Sequence, residues 1–350
     1  MTVETLAQGV LNVQLFLKPL EEEADFVPCE RMRLLGVVML QCLPAVDLSG
    51  SGWCGNGRIP ANRRAILAAF FAKAVWNLET TAALIQTLRT DRQLRMLCGW
   101  QNGPAEIPSA STFSRAFAAF ARNDVLRALH ERLVDGFYAN KLVGHLSVDS
   151  AAVEVRERVR RGTGPAEHPA VKRLELQPRR GAAENFADLP QACGCGCKRN
   201  THGNALYWHG VKLHAAVGDG GVPIRVFLSS AALHDSQALV PLVQSSLSRL
   251  QACYLLADAA YDAQAIRAFA RSRGLVALID ANKRTSETVV PFSPAERRRY
   301  AERSEVERFF GHLAHHGRGT VFVRGARKVM THLYFGVIVI AIEQMLRMIC

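Results

Sequence analysis

The chain of 350 residues contains no apolar run that reaches the roughly 20 residues a bilayer crossing requires. Its two most apolar stretches, "LLGVVMLQCL" and "LYFGVIVIAI", are each about half that length, which argues against a membrane partner. The opening "MTVETLAQGVLNV" carries an acid and no basic cluster, so it lacks the form of a secretory signal. Regular cysteine spacing is missing as well. Cys42, Cys98 and Cys253 are isolated in apolar contexts, and an odd total of nine does not make a secreted disulfide framework. Together these absences lead us to expect a cytoplasmic protein. Acids are also in short supply, at 31 against 43 basic residues, for a net charge of +12 and a pI near 9.6. Such an excess suits a polyanionic partner, because each phosphate neutralised by a basic side chain releases counterions. Charge alone fits a merely soluble basic protein equally well.

What is present is enough apolar material, 49% of residues, for a large core and about two domains. From Ile59 to Val143 the pattern is helical. "RRAILAAFFAKAVWNL", "ETTAALIQTL" and "DVLRALHERLVDGF" repeat apolar residues at three- and four-residue steps with arginines on the other faces. In "IPSASTFSRAFAAFARN", Pro108 and then Ser111 or Thr112 as a hydroxyl cap predict a helix start before Phe113. Short helices bearing Arg63, Arg64 and Arg115 suit either a DNA-binding module or a bundle with solvated arginines.

After Val143 the period changes. "HLSVDS" is a short strand, "ALYWHGVKLHAAVG" and "VPIRVFLSS" are strands joined by the turn "DGGVP", and "CYLLAD" and "LVALID" alternate with helices. This order predicts an α/β domain with a mixed five-stranded sheet flanked by helices and preceded by an all-helical N-terminal domain. The expected division is an extension over 1–58, a helical domain over 59–143 and a sheet domain over 144–350. Within the last, about 156–204 reads as a basic insertion without sustained period. Its "CGCGC" (Cys193, Cys195, Cys197), with His202 nearby, has the crowded look of a thiolate clip, whereas zinc sites usually space cysteines by two or more residues.

Asp149 and Asp258 each stand at the end of a predicted strand, where an Asp is commonly a turn residue or cap, and Asp235 stands as the N-cap of a helix. If the two strands are parallel neighbours, Asp149 and Asp258 emerge at one edge and suit a hard cation. In "YAERSEVERFFGHLAHH", a continuous helix puts Val306, Phe309, Phe310 and Leu313 in one apolar stripe. Tyr300, Arg303 and Glu307 then fall on one flank and Glu305 on the other, which favours Glu307 as the acid that reaches the sheet edge.

Tyr300, Arg303 and Glu307 in this spacing resemble the Tyr-Arg-Glu-Lys signature of DDE insertion-sequence transposases. "HLSVDSAAV" and "LLADAAYDA" resemble the segments that hold that family's two catalytic aspartates. "HGVKLHAAV", "ALHDSQALVPLV" and "PSASTFSRAF" are similar to its other segments, so the likeness runs from about residue 59 to the end. The resemblance implies an RNase H-like fold in which Asp149, Asp258 and Glu307 are catalytic and bind two divalent ions, Mg2+ or Mn2+. It also implies that Tyr300, Arg303 and Lys212 contact DNA phosphates. The partners implied are double-stranded DNA, as terminal inverted repeats and target, and a second copy in a homodimer. The signature is broken at one place: its lysine is Ala314, followed by His315 and His316, with Arg318 and Lys328 further on. A DNA-binding regulator derived from such an enzyme and a nuclease without strand transfer are the competing expectations.

Overall fold

A computed structural model of the chain describes residues 8, 29–46, 61–139, 141–159, 170–199, 204–282, 291–319 and 321–349. By internal contact the chain divides into two compact units. One comprises Met1–Phe137, Leu313–Phe322 and Arg327–Cys350, and the other Tyr138–His312 and Val323–Ala326.

The first unit is helical. Among the described residues it holds α1 (Glu30–Cys42), α2 (Arg63–Val75), α3 (Thr81–Thr90), α4 (Arg92–Leu97), α5 (Ala110–Arg122) and nearly all of α6 (Val125–Tyr138). Polar side chains start several of these helices by accepting from free N–H groups. Asn62 accepts from Arg64 and Ala65, Thr80 from Ala83 and Asp91 from Leu94. α5 begins two to three residues earlier than expected: Ser109, not Ser111 or Thr112, is the N-cap, without a side-chain cap bond, and Ser111 and Thr112 lie inside the first turn. Buried Arg95 reaches back to the carbonyls of Leu88 and Arg89, both at 3.1 Å, and so satisfies the C-terminal end of α3.

The last helix of the chain, running from Ala326 to Arg347, belongs to this unit from Arg327 onward, although the sequence grouped it with the sheet. The reason is aromatic packing. Phe335 lies 5.0 to 6.4 Å, centroid to centroid, from Phe70, Phe71 and Phe117, and Phe113 stacks edge-on to Phe70. By length and composition this helix could cross a membrane, a possibility the two short apolar runs had hidden. Yet 78% of its apolar window is buried in the protein, so it is a core helix.

Among the described residues the second unit is built on a mixed sheet of six strands: β1 (Leu142–Glu154), β2 (Gly194–Arg199), β3 (Ala205–Gly218), β4 (Val222–Ser230), β5 (Gln251–Ala257) and β6 (Val276–Ile279). β1 is central, antiparallel to β3 and parallel to β5, which is parallel to β6. Gly210 pairs with both Glu154 and Gly194, so β2 and β4 follow one another along the edge of β3 away from β1. A Cβ at Gly210 would collide with the Val153 carbonyl, which reserves this crossing for glycine.

The sixth strand corrects the five-stranded expectation. β2 is the "CGCGC" segment, which pairs with β3 because alternation sets its cysteines and glycines on opposite faces. Gly196 leaves room for the Trp208 ring where any side chain would collide. The expected structureless insertion also holds the helices α7 (Ala170–Leu176) and α8 (Ala182–Asp188). They pack on α9 (Ser236–Leu247) through Arg173 with Asp188 and Gln237, and through Gln244 and Asn185. His202 lies outside the described residues. The unit is completed by α10 (Gln264–Ser272), α11 (Pro294–Ala301) and most of α12 (Ser304–Leu313).

Phe335 is the side chain that gathers the helical core. Phe335→Ala is expected to lower stability by about 3–5 kcal/mol, measured by urea unfolding at pH 7.

Candidate active site

The parallel pairing of β1 with β5 places Ser147 opposite Leu256, so two residues further on Asp149 and Asp258 stand in matching positions on neighbouring strands. Asp258 follows the last residue of β5 and accepts from the Ala260 N–H at 3.0 Å, capping a single 3-10 turn. Asp149 does not end its strand, as the sequence suggested. β1 continues to Glu154 because its other edge remains paired with β3.

Asp235, expected to cap α9, makes no side-chain cap bond. Its carboxylate instead accepts from the Ser150 hydroxyl at 3.0 Å and from Lys212 Nζ at 2.9 Å. Lys212 also donates to the Leu233 carbonyl at 2.9 Å. The expected phosphate-contacting lysine is therefore engaged inside the protein, beside the acids.

These carboxylates perturb one another. Burial raises Asp149 to about 6, and the negative charges of Asp258 and Asp235 add to that rise against the lowering effect of Arg303. Burial likewise raises Asp258, with Asp235 and Asp280 adding to it. Tyr261, fully buried beneath them, feels the charges of Asp235, Asp149 and Asp258 and is raised well above its ordinary value.

The glutamate segment is not one continuous helix. α11 ends at Ala301 and α12 starts at Ser304, with Glu302 and Arg303 between them. The stripe of Val306, Phe309, Phe310 and Leu313 is buried as its spacing predicts. The two flanks behave differently from expectation. Glu305 is the buried glutamate, 8% exposed, whereas the Glu307 side chain is 53% exposed. Glu305 accepts from His145 Nε2 at 3.1 Å and from the Gly221 N–H at 3.3 Å. Glu307 pairs with Arg303 at 2.5 Å, and the same guanidinium lies 3.8 Å from Asp149. Arg303 also sits over the Tyr300 ring, whose other neighbour is Phe292. The helical wheel puts Glu307 with Arg303 and Glu305 on the other flank, as the contacts show, but it carries no sign of which flank is covered, and that is decided by His145 against Glu305.

The structure thus brings Asp149, Asp258, Asp235, Lys212, Arg303, Tyr300 and Glu307 into one neighbourhood, with Glu307 joined to Asp149 only through Arg303. Among the described residues no three His, Cys, Asp or Glu side chains gather closely enough to hold a metal ion, here or at Cys193, Cys195 and Cys197. Asp149 and Asp258 nevertheless suit a hard cation. They are two oxygen donors whose shared negative charge is unfavourable without one. Arg63, Arg64 and Arg115 lie in the helical unit. Arg64 and Arg115 are exposed and Arg63 is half-buried.

Residues 189–342 match the family model for the transposase DDE domain, and residues 34–119 match that for a transposase domain of the helical region. The chain belongs to the DDE transposases of insertion sequences. No curated protein and no solved structure matches it. The mixed sheet with flanking helices agrees with the RNase H-like fold expected of a DDE transposase. Sequence reasoning missed His145, Asp219 and the buried role of Glu305. The only available signal was a histidine two residues before Ser147 on a strand whose alternate residues face one way.

Because ionised Asp149 is disfavoured, its penalty accrues as pH rises from about 4 through 6. In metal-free buffer Asp149→Asn is expected to raise the melting temperature at pH 7.5 by a few degrees, roughly the scale of 1 kcal/mol in a domain of this size. The gain should shrink to nothing by about pH 4, where the native carboxyl is already protonated. Calorimetry across that range checks it.

Proposed function

We propose that this transposase binds the terminal inverted repeats of its element as double-stranded DNA, cleaves at their ends and joins the freed 3′-hydroxyl to target DNA. The observation that carries this reading is the neighbouring, parallel placement of Asp149 and Asp258, with Arg303 linking Asp149 to Glu307. Asp149 and Asp258 would hold Mg2+ or Mn2+, and Glu307 would complete the set by exchanging its Arg303 partner. Two such ions, when bound, would supply an activated hydroxyl and a counter-charge for the leaving oxygen.

The chain's own residues supply the rest. Arg303 presents a rigid guanidinium fork beside the acids and is suited to grip a phosphate next to the scissile bond. Tyr300 stacks against Phe292 and Arg303 and offers its hydroxyl to the same backbone. Lys212 holds Asp235, and through it Ser150, so it shapes the acidic centre from within. Arg63, Arg64 and Arg115 of the helical unit are assigned to repeat binding, where phosphate contacts give a steep salt dependence. A homodimer would hold two element ends together.

Purified protein mixed with its terminal-repeat DNA and magnesium should yield end-cleaved and then joined products. Asp149→Asn, Asp258→Asn and Glu307→Gln should each lower cleavage by at least about 100-fold while leaving repeat binding within a few fold. Cleavage by Glu307→Gln at the wild-type rate would overturn the assignment of that residue. Cuts without joined products would indicate a nuclease, and binding without cuts a regulator.

A further inference from the structure

His145 is 2% exposed and lies between two carboxylates. Its Nε2 hydrogen-bonds to Glu305 at 3.1 Å, and its Nδ1 lies 2.8 Å from Asp219 as an ion pair rather than an aligned hydrogen bond. Asp219 is itself fixed by the backbone N–H groups of Gly144 and His145, at 2.5 and 3.1 Å. A neutral imidazole has one N–H, so a ring with a carboxylate at each nitrogen is favoured as the doubly protonated cation. Burial opposes that charge, but Asp219 and Glu305 outweigh it and raise His145 to about 9. The other charged or titratable groups around this cluster are Tyr138, Arg299 and Arg308. Tyr138 is raised by burial and by the same two acids, the Arg299 guanidinium lies over Tyr254 next to Gly144, and Arg308 is 3.7 Å from Glu305.

This cluster is the first of three contacts made by one face of β1. His145, Ser147 and Asp149 alternate along the strand and so point the same way. His145 holds Glu305, the Ser147 hydroxyl donates to the Glu302 carbonyl at 3.3 Å, and Asp149 meets Arg303 at 3.8 Å. The segment 302–307 thus lies against β1 at three points, and His145 makes the most buried of them. We propose that His145, clamped between Asp219 and Glu305, is a positioning residue that anchors the start of α12 to β1 and thereby sets Arg303 and Glu307 against Asp149. The inference rests on the catalytic reading of Asp149 and Glu307 given above. His145 itself touches none of the reacting groups.

The test compares wild type with His145→Gln and with the double variant His145→Gln/Glu305→Gln, which removes the buried anion together with its cation. In His145→Gln, amide exchange over 302–313 is expected to speed up by about tenfold while β5 and β6 keep their protection. Magnesium-dependent end cleavage is expected to fall by roughly 10- to 100-fold, with repeat binding unchanged. The neutral pair should regain most of both, since the unpaired buried acid is gone. The melting-temperature difference between wild type and His145→Gln should be full below about pH 6.5 and vanish as pH rises through 9, where His145 loses its proton.

Unchanged exchange over 302–313 in His145→Gln overturns the proposal, as does loosened exchange with wild-type cleavage. Loss of protection across the whole sheet without rescue by the double variant overturns it too, because His145 would then be a general fold contact. If wild type itself cuts no DNA, the proposed function fails. Exchange over 302–313 and the pH dependence of melting then decide the clamp by themselves.

Discussion

The contact between one face of β1 and the segment from Glu302 to Glu307 is the constraint on which the acidic centre depends. That segment has no continuous helix to fix it, because α11 stops at Ala301 and α12 begins at Ser304. The sheet supplies the missing order. His145, Ser147 and Asp149 occur at the two-residue period of a strand, so all three face the segment at once. A slip of one residue in β1 would turn all three away together, which ties the site to the register with β3 and β5.

Along this face the electrostatics change character. At His145 the charges are balanced: one cation lies between two carboxylates, and backbone N–H groups hold the acid in the turn. Four residues on, the balance fails. Asp149, Asp258 and Asp235 crowd together with Lys212 and Arg303 as counter-charges, and burial leaves Asp149 near 6. The first arrangement suits holding a backbone in place, since every buried charge has a partner. The second suits taking up a cation, since added positive charge would relieve it. Glu305 and Glu307, two residues apart, belong to these two regimes, one buried and paired with His145, the other exposed and paired with Arg303.

The helical unit answers to a different requirement. Its core is made by aromatic side chains from α2, α5 and the last helix, and the apolar excess of that helix is used up in burial. Several helix ends are closed by polar groups from nearby in sequence, such as Asn62, Thr80 and Asp91. Exposed arginines such as Arg64 and Arg115 are then left at the surface.

The sequence by itself determined most of the local elements and the family to which the chain belongs. Apolar period marked the helices, alternation marked five strands, and the spacing of Asp149, Asp258, Arg303 and Glu307 carried the family resemblance that the domain matches bear out. The buried stripe of α12 was legible for the same reason: helical period depends only on neighbours in the chain. What depended on distant partners was not legible. β2 is a strand because β3 offers an edge and Gly196 admits Trp208, and neither fact is written in "CGCGC". Asp235 looked like a cap and proved to be held by Ser150 and Lys212, which are 85 and 23 residues away. Which glutamate is buried turned on His145, 160 residues from Glu305. Only the tertiary structure could decide these points, because each is a contact between residues whose separation in sequence leaves no local period to record it.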